Sequence, residues 1–384
     1  MSHRFSLASA VLATCAFAAQ PAAAEPELPE TMAWSAYDVG SGGYSQVVGI
    51  ASAFKTKYGV NLRIIPGKND VSRILPLKTG QLDFVANGSA TYMQQEGVFE
   101  FGARDWGPMP VRILLTNIGD FALPLIVAAD TGVKTVADLK GKRVSWVIGS
   151  PALQKNTAAL LAFGGLTWDD VEKVEFGGYG AGLKGIVNGQ VDAAFANSLA
   201  GITYELAQSP RGVVYPPMPA SDTEGWQRVL ALAPFFVPVK ATDGAGLSKE
   251  QPIELSMIPY PILTTLVDRK AADVYAVMRA MDETYPLYKD SAPGNGGWAL
   301  ERQNLEWVVP YHEGAIRYFE EKGLWNATHQ AHNDGLIRRQ EVLAEAWSKL
   351  LARNLEGKEH IAAWQGARAD ALREAGMEVG IEDW

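Results

Sequence analysis

Apolar runs of strand length alternate with amphipathic stretches through the first half of the chain. Met32 to Val39 predicts a strand. The turn Gly40-Ser41-Gly42-Gly43-Tyr44-Ser45 then opens a helix that runs to about Tyr58. Val60 to Ile65 predicts a second strand. Asp70 to Thr79 predicts a short helix, with Val71, Ile74, Leu75 and Leu77 on its apolar side and Gly80 as its stop. Leu82 to Ala86 predicts a third strand. This alternation points to an α/β lobe with a mostly parallel sheet.

The pattern then repeats. Lys142 to Ile148 predicts a strand, and Gly149-Ser150-Pro151-Ala152-Leu153-Gln154 a turn into a helix through Ala158 to Phe163. Pro151 suits a first helical turn. Val171 to Phe176, Leu183 to Asn188 and Val191 to Ala196 predict strand, short helix and strand. Gly40-Ser41 precedes Gly80-Gln81-Leu82-Asp83 by the same number of residues as Gly149-Ser150 precedes Gly189-Gln190-Val191-Asp192. Each Gly-Gln-apolar-Asp motif leads into a strand ending in asparagine, Asn87 or Asn197. Two motifs at equal spacing mark one internal duplication. Gly80 and Gly189 are expected to end helices, and Asp83 and Asp192 to start strands.

Two long extended stretches, Val111 to Asp130 and Ile258 to Val267, join the halves. They predict a double hinge, with the second lobe inserted in the first: lobe I over 25–119 plus 262–384, lobe II over 120–261. After Asp268 the chain reads as helical, at Lys270 to Lys289, Leu305 to Lys322, Asn333 to Leu355 and Glu359 to Gly376. The last two carry an apolar stripe (Leu336, Val342, Leu343, Ala346, Trp347, Leu350) and predict a helical pair covering lobe I.

The first residues break the pattern. Met1-Ser2-His3-Arg4 is basic, Phe5 to Ala19 is apolar, and Ala22-Ala23-Ala24 fits a cleavage site. Residues 1–24 thus read as a secretory leader, Glu25 as the mature start, and the location as periplasmic. No later stretch is long and apolar enough to span a bilayer. The single cysteine, Cys15, falls in the leader, which leaves the mature chain no thiol chemistry. With 384 residues, 47% hydrophobic and 20% charged, the chain has material for sizeable cores. Its net charge is −9, one unit more negative once Arg4 is removed. That disfavours nucleic acid and acidic membrane surfaces as partners, and leaves a small anionic ligand open.

Catalytic motifs find little support. Gly180-Ala181-Gly182-Leu183-Lys184-Gly185 follows a strand, as a dinucleotide fingerprint does, but the helix after it is too short for that fold. Gly67-Lys68 lacks the earlier glycine of a P-loop. His329 and His332 stand at i, i+3 near Asp334 without a third histidine nearby, and His312 and His360 are isolated. No nucleophile elbow, zinc-protease motif or acid pair stands out. The reading is therefore of no catalytic residues, no metal, no cofactor and no enzyme.

What remains is two helix N-termini, each able to hold an anion. Ser41, Gly42, Gly43, Tyr44 and Ser45 form the first; Ser150, Gln154, Lys155 and Asn156 belong to the second. Ligands of parallel sheets bind at the carboxyl ends of strands. That rule adds Lys68, Asn69 and Arg73, then Asn87, Ser89 and Tyr92, and in the second half Tyr179, Asn197 and Ser198. The expectation is a carboxylate on the Ser41–Ser45 turn, charge from Lys68 or Arg73, and closure by Ser150, Gln154 and Asn156. Pro151 removes one N–H from the second turn.

Five segments together resemble a known family: Gly40-Ser41-Gly42-Gly43-Tyr44, Leu77 to Asp83, Val136-Ala137-Asp138-Leu139-Lys140-Gly141-Lys142-Arg143-Val144, Gly189 to Phe195, and Pro310-Tyr311-His312-Glu313-Gly314-Ala315. The ordered set is similar to the TAXI class of TRAP-transporter solute receptors, over the mature chain to about Gly323. The resemblance implies a class II-like, two-lobed periplasmic-binding-protein fold that closes on a small solute. It implies handing that solute to TRAP membrane subunits, small and large or fused, powered by an ion gradient. Solutes of the class are mostly small carboxylates such as glutamate and 2-oxoglutarate. The chain departs from the family at Gly149-Ser150-Pro151-Ala152, where a Gly-Ser-Gly-Thr-like turn is commoner, and in helices that extend past Asn326. Other readings are an ABC-importer receptor of the nitrate or sulfonate type, a periplasmic sensor subunit, and an enzyme on the same scaffold.

Overall fold

The structure is a computed structural model that describes residues 28–382 and 384. The leader, its cleavage site, Cys15 and Glu25 lie outside the described residues. Among the described residues the strands form two five-stranded mixed sheets and a two-stranded ribbon. The first sheet comprises β1 (Thr31–Ala36), β2 (Asn61–Pro66), β3 (Phe84–Asn87), β4 (Val111–Thr116) and β12 (Ile262–Leu266), in the order β2-β1-β3-β12-β4. The second comprises β5 (Leu125–Ala128), β6 (Arg143–Val147), β7 (Glu172–Phe176), β8 (Ala193–Phe195) and β9 (Val213–Val214), in the order β7-β6-β8-β5-β9. In each sheet three parallel strands are followed by one antiparallel strand, β12 or β5, and an edge strand, β4 or β9, that runs parallel to the first three. The ribbon is β10 (Val237–Ala241) with β11 (Ile253–Met257).

The helices are α1 (Gly42–Tyr58), α2 (Asp70–Lys78), α3 (Ala90–Glu96), α4 (Pro151–Phe163), α5 (Tyr179–Val187), α6 (Gly201–Gln208), α7 (Thr223–Leu232), α8 (Ala271–Tyr288), α9 (Glu313–Glu321), α10 (Ala327–Leu351) and α11 (Gly357–Glu374). α1 starts because Ser41 caps it, its Oγ accepting from the Tyr44 N–H at 3.2 Å. It buries Val47, Ile50 and Phe54 on one face. Phe54 meets Trp34 of β1 edge-on at 5.9 Å, and Trp34 meets Phe84 of β3 at 5.8 Å. Each such fully buried aromatic contributes about 2–3 kcal/mol by area removed from water.

The duplication extends to hydrogen bonds. The N–H groups of Gln81 and Leu82 donate to Pro76 O at 2.8 and 3.2 Å; those of Gln190 and Val191 donate to Gly185 O at the same distances. Gly80 and Gly189 both close these turns in the left-handed region, at φ +71° and +74°, which a side chain would resist. Asp83 pairs with Arg269 at 2.8 Å and Asp192 with Arg143 at 2.7 Å, so both motif acids anchor strand starts.

The chain passes between the lobes twice, from β4 to β5 and from β11 to β12. The two crossings lie side by side. Asn117 N donates to Pro261 O at 3.0 Å, and Tyr260 N donates to Asn117 O at 2.9 Å. Leu123 N donates to Ser256 O at 2.9 Å, and Ser256 Oγ to Leu123 O at 2.8 Å.

Two expectations need correction. The helix expected from Leu305 starts only at Glu313, because Pro310 has no N–H to give and His312 caps the helix, its Nδ1 accepting from Gly314 N at 3.1 Å. The second lobe also holds α6, α7 and the ribbon, which strand-length patterning did not announce. The terminal pair α10 and α11 packs on the first lobe. Gln340 Nε2 donates to Gln95 Oε1 at 2.8 Å, and Trp364 Nε1 to Gly97 O at 2.6 Å. At the centre Glu96 of α3 receives Arg339 at 2.7 and 2.8 Å and also Arg368.

Candidate functional site

The carboxyl ends of the parallel strands in both sheets face one cleft. Hydrogen bonds cross it from lobe to lobe. Asp70 Oδ2, at the first position of α2, accepts from the Ala152 N–H of α4 at 2.9 Å and from the Ser150 hydroxyl at 3.0 Å. Since Ser150 gives its proton to Asp70, the Tyr37 hydroxyl donates to Ser150 Oγ, at 2.8 Å. Asn156 Nδ2 donates to Ser89 Oγ at 2.8 Å, and Gly180 N to Asp38 Oδ2 at 3.2 Å. Tyr179 N donates to Lys68 O, and Gly201 N to Gly40 O, both at 3.1 Å. The lobes therefore meet in a closed arrangement.

Between them is a cavity of about 40 Å³, room for the centres of only a few water molecules. Tyr37, Asp70, Arg73, Gly88, Ser89 and Tyr260 wall it from the first lobe and its crossing, and Ala152, Leu153, Asn156, Tyr179, Phe195 and Asn197 from the second. Leu123 and Ile258 of the crossings complete it. Its charged groups are Asp70 and Arg73, 1% and 2% exposed. Arg73 Nη2 donates to Asp70 Oδ1 at 2.7 Å, and the guanidinium lies 4.3 Å from the Tyr37 ring centre. Arg73 Nε, Asn197 Nδ2 and Asn156 Oδ1 are buried without partners among the described residues. Such groups cost free energy unless something bonds them, so the wall is short of hydrogen-bond partners.

Burial pushes the Asp70 carboxyl up, against the pull of Arg73 and of the bonds from Ala152 and Ser150. Burial likewise raises the phenols of Tyr37, Tyr179 and Tyr260, which stay neutral donors and acceptors.

Of the residues singled out in the sequence, Arg73, Ser89, Asn156, Tyr179 and Asn197 come together in the wall, and Ser150 stands just behind it on Asp70. The Ser41–Ser45 turn does not line the cavity. A Cβ on Gly43 would stand 2.7 Å from the Tyr260 hydroxyl, and one on Gly42 3.1 Å from Asn197 Nδ2. Tyr260 and Asn197 thus lie against Ser41, Gly42 and Gly43, while Tyr44 packs toward the core and Ser45 is exposed. Lys68 is exposed, and only its carbonyl takes part. Asn69 caps α2, accepting from Ser72 N at 2.8 Å, and Gln154 Nε2 is turned to Val147 O at 2.9 Å. Asn87 accepts from Gly88 N at 2.9 Å behind the wall. Tyr92 faces Phe235, with ring centres 5.8 Å apart, away from the cavity. Sequence reasoning missed Tyr37, Asp70, Leu123, Ile258 and Tyr260. Asp70 carries one signal, an acid opening a helix after a strand, which also describes any ordinary helix start.

Two α/β lobes, paired crossings and a small cavity between the lobes, lined by apolar side chains and a few polar ones, define a two-lobed solute-binding protein. The NMT1-like family matches residues 39–323, and the chain belongs to it, the family of the TAXI-type TRAP substrate-binding proteins. No curated protein matches in sequence. Among solved structures, the alkanesulfonate-binding protein SsuA from Xanthomonas axonopodis pv. citri, bound to MOPS, is 16% identical at a TM-score of 0.44, over 88% of this chain and 98% of that one. The periplasmic aliphatic sulphonate-binding protein SsuA from Escherichia coli is 14% identical at 0.42, over 92% and 90%. An ancestral arginine-binding protein bound to arginine is 15% identical at 0.40, over 68% and 94%. At such scores no functional reading rests on these three. No helix of the described residues is long and apolar enough to cross a membrane.

Proposed function

We propose that this protein is the periplasmic receptor of a TAXI-type TRAP transporter, and that it carries a small organic anion, a carboxylate, to the membrane subunits. It binds and releases its solute without transforming it. The observation that carries the anion reading is the Arg73 guanidinium, buried in the wall of the interlobe cavity with its Nε unpartnered, in a wall that also holds the unpartnered Asn197 amide donor. A guanidinium matches a carboxylate in shape and charge. Ser89, Asn156, Tyr179 and Tyr260 supply further polar contacts, and Leu123, Leu153, Phe195 and Ile258 take the apolar part. The lobes, 25–119 with 262–384 and 120–261, open and close by hinge rotation about the paired crossings.

The test is a thermal-shift and calorimetric screen of the mature protein against organic acids, amino acids, neutral polyols and quaternary amines. Saturable binding of a carboxylate, lost on Arg73→Ala, is the expected result. Binding confined to a neutral or cationic solute would overturn the anion reading.

A further inference from the structure

Resting on the carboxylate reading above, we infer that the receptor selects small monocarboxylates over dicarboxylates, because its own Asp70 occupies the helix N-terminus in the second lobe. By the duplication, the opening of α4 corresponds to that of α1, and each helix end carries partial positive charge. In α4 the first residue, Pro151, has no N–H to offer. The next N–H, that of Ala152, is held by Asp70 Oδ2 at 2.9 Å, and the Ser150 hydroxyl is held by the same oxygen at 3.0 Å. The carboxylate of the protein itself therefore stands where a second ligand carboxylate would find its donors.

Asp70 Oδ1 also holds Arg73 Nη2 at 2.7 Å, so the one cation of the wall is already half-matched. A ligand with a single carboxylate can still take the unpartnered Nε of Arg73 and the Asn197 amide. A second carboxylate meets no second cation in the wall, and lies in a buried space with Asp70 as a like charge. Burying a charge without a partner is strongly unfavourable. The lining points the same way. Leu123, Leu153, Phe195 and Ile258 offer apolar side chains to a short alkyl or keto chain and no polar side chain to a second carboxylate.

The experiment is calorimetry on the mature wild-type protein and on Asp70→Asn, with acetate, propanoate and pyruvate against malonate and succinate. The monocarboxylates are expected to bind at least about tenfold more tightly than the dicarboxylates, the least that one uncompensated buried charge should produce. Asp70→Asn removes the competing anion and should shrink that ratio at least about tenfold. Dicarboxylates binding the wild type as tightly as monocarboxylates would overturn the inference while leaving the carboxylate reading intact. No binding of any of these acids overturns the inference, while the carboxylate reading stands or falls on the wider screen above. A folded Asp70→Asn with an unchanged ratio overturns the role of Asp70. Should that variant not fold, the wild-type ranking alone decides.

Discussion

Asp70 in the first lobe and Ala152 in the second are joined by a hydrogen bond of 2.9 Å, from the Ala152 backbone N–H to a carboxylate oxygen that is almost wholly buried. The contact exists only while the lobes are together. Ser150 doubles it, passing the Tyr37 hydroxyl on to the same oxygen. Replacing Ser150 by alanine removes both bonds and leaves the Tyr37 hydroxyl unpaired in a buried place, at a cost of about 1–3 kcal/mol to the closed form. Ser150→Ala is expected to raise the radius of gyration in small-angle scattering and to weaken ligand binding about tenfold. Scattering and affinity unchanged from the wild type would remove Ser150 from closure.

Arg73 and Lys68 are equal candidates for the charged contact by sequence, and their burial separates them. Arg73→Ala leaves Asp70 buried with no cation, which costs about 3–5 kcal/mol and abolishes carboxylate binding. Arg73→Lys keeps the charge but loses the fork that serves Asp70 and the ligand together, so it should fold and bind at least about tenfold more weakly. Lys68 is exposed, and Lys68→Ala should bind within about twofold of the wild type, the scale of a solvated surface charge. Thermal melts and calorimetry on the three variants give the order. A larger loss from Lys68→Ala than from Arg73→Lys would exchange their roles.

Much of the fold was legible because the duplicated motifs are local. A glycine that ends a helix, a two-residue turn and an acid at a strand start act within a dozen residues, and each does the same work in both lobes. The wall of the candidate site was legible only where local position coincides with the strand ends, as at Arg73, Ser89, Asn156, Tyr179 and Asn197, which line the cavity. Tyr260 and Ile258 come from a crossing whose extended pattern says nothing about what it will face. Asp70 looks like any acid at the start of a helix. Its role depends on Ala152 and Ser150, which only the closed fold brings near. The Ser41–Ser45 turn shows the converse: a sound anion-binding pattern, but covered by Tyr260 and Asn197 once the chain has folded.

The terminal helices belong to the first lobe. Trp364 is fully buried, bonded to Gly97 O at 2.6 Å and stacked edge-on with Trp347 at 4.8 Å. A chain ending at Asn326 loses these rings together with the Gln340 and Arg339 contacts, and exposes the apolar residues of α3 and its neighbours. Each buried aromatic lost costs about 2–3 kcal/mol, so the truncated protein is expected to lack a cooperative melt by circular dichroism. A truncated protein that melts like the full chain would make the helices an independent appendage.

The bond set around Glu96 fixes how stability should follow pH. Burial by itself would raise this carboxyl, but the bonds from Arg339 and the charges of Arg368 and Arg339 outweigh it and hold the group below its ordinary value. The folded protein then binds that proton less readily than the unfolded chain. The stabilisation is fully present above the unfolded value of 4.5 and is lost as pH falls through the lower folded value. Glu96→Gln leaves the buried Arg368 and the half-buried Arg339 without a counter-charge and should cost about 3 kcal/mol at neutral pH. The difference between wild type and variant should hold steady down to about pH 4.5 and then shrink. Working with the difference matters, because Glu283, held at about 2 by Lys57, Tyr58 and Arg279 against the effect of burial, titrates in the same acid range. Asp70, pushed up by burial, shifts stability the opposite way, and both are common to the two proteins. Urea titrations of the pair from pH 7 to pH 3 measure the effect. A gap that stays constant across that range would mean that Glu96 acts through shape and hydrogen bonding, with no part played by its charge.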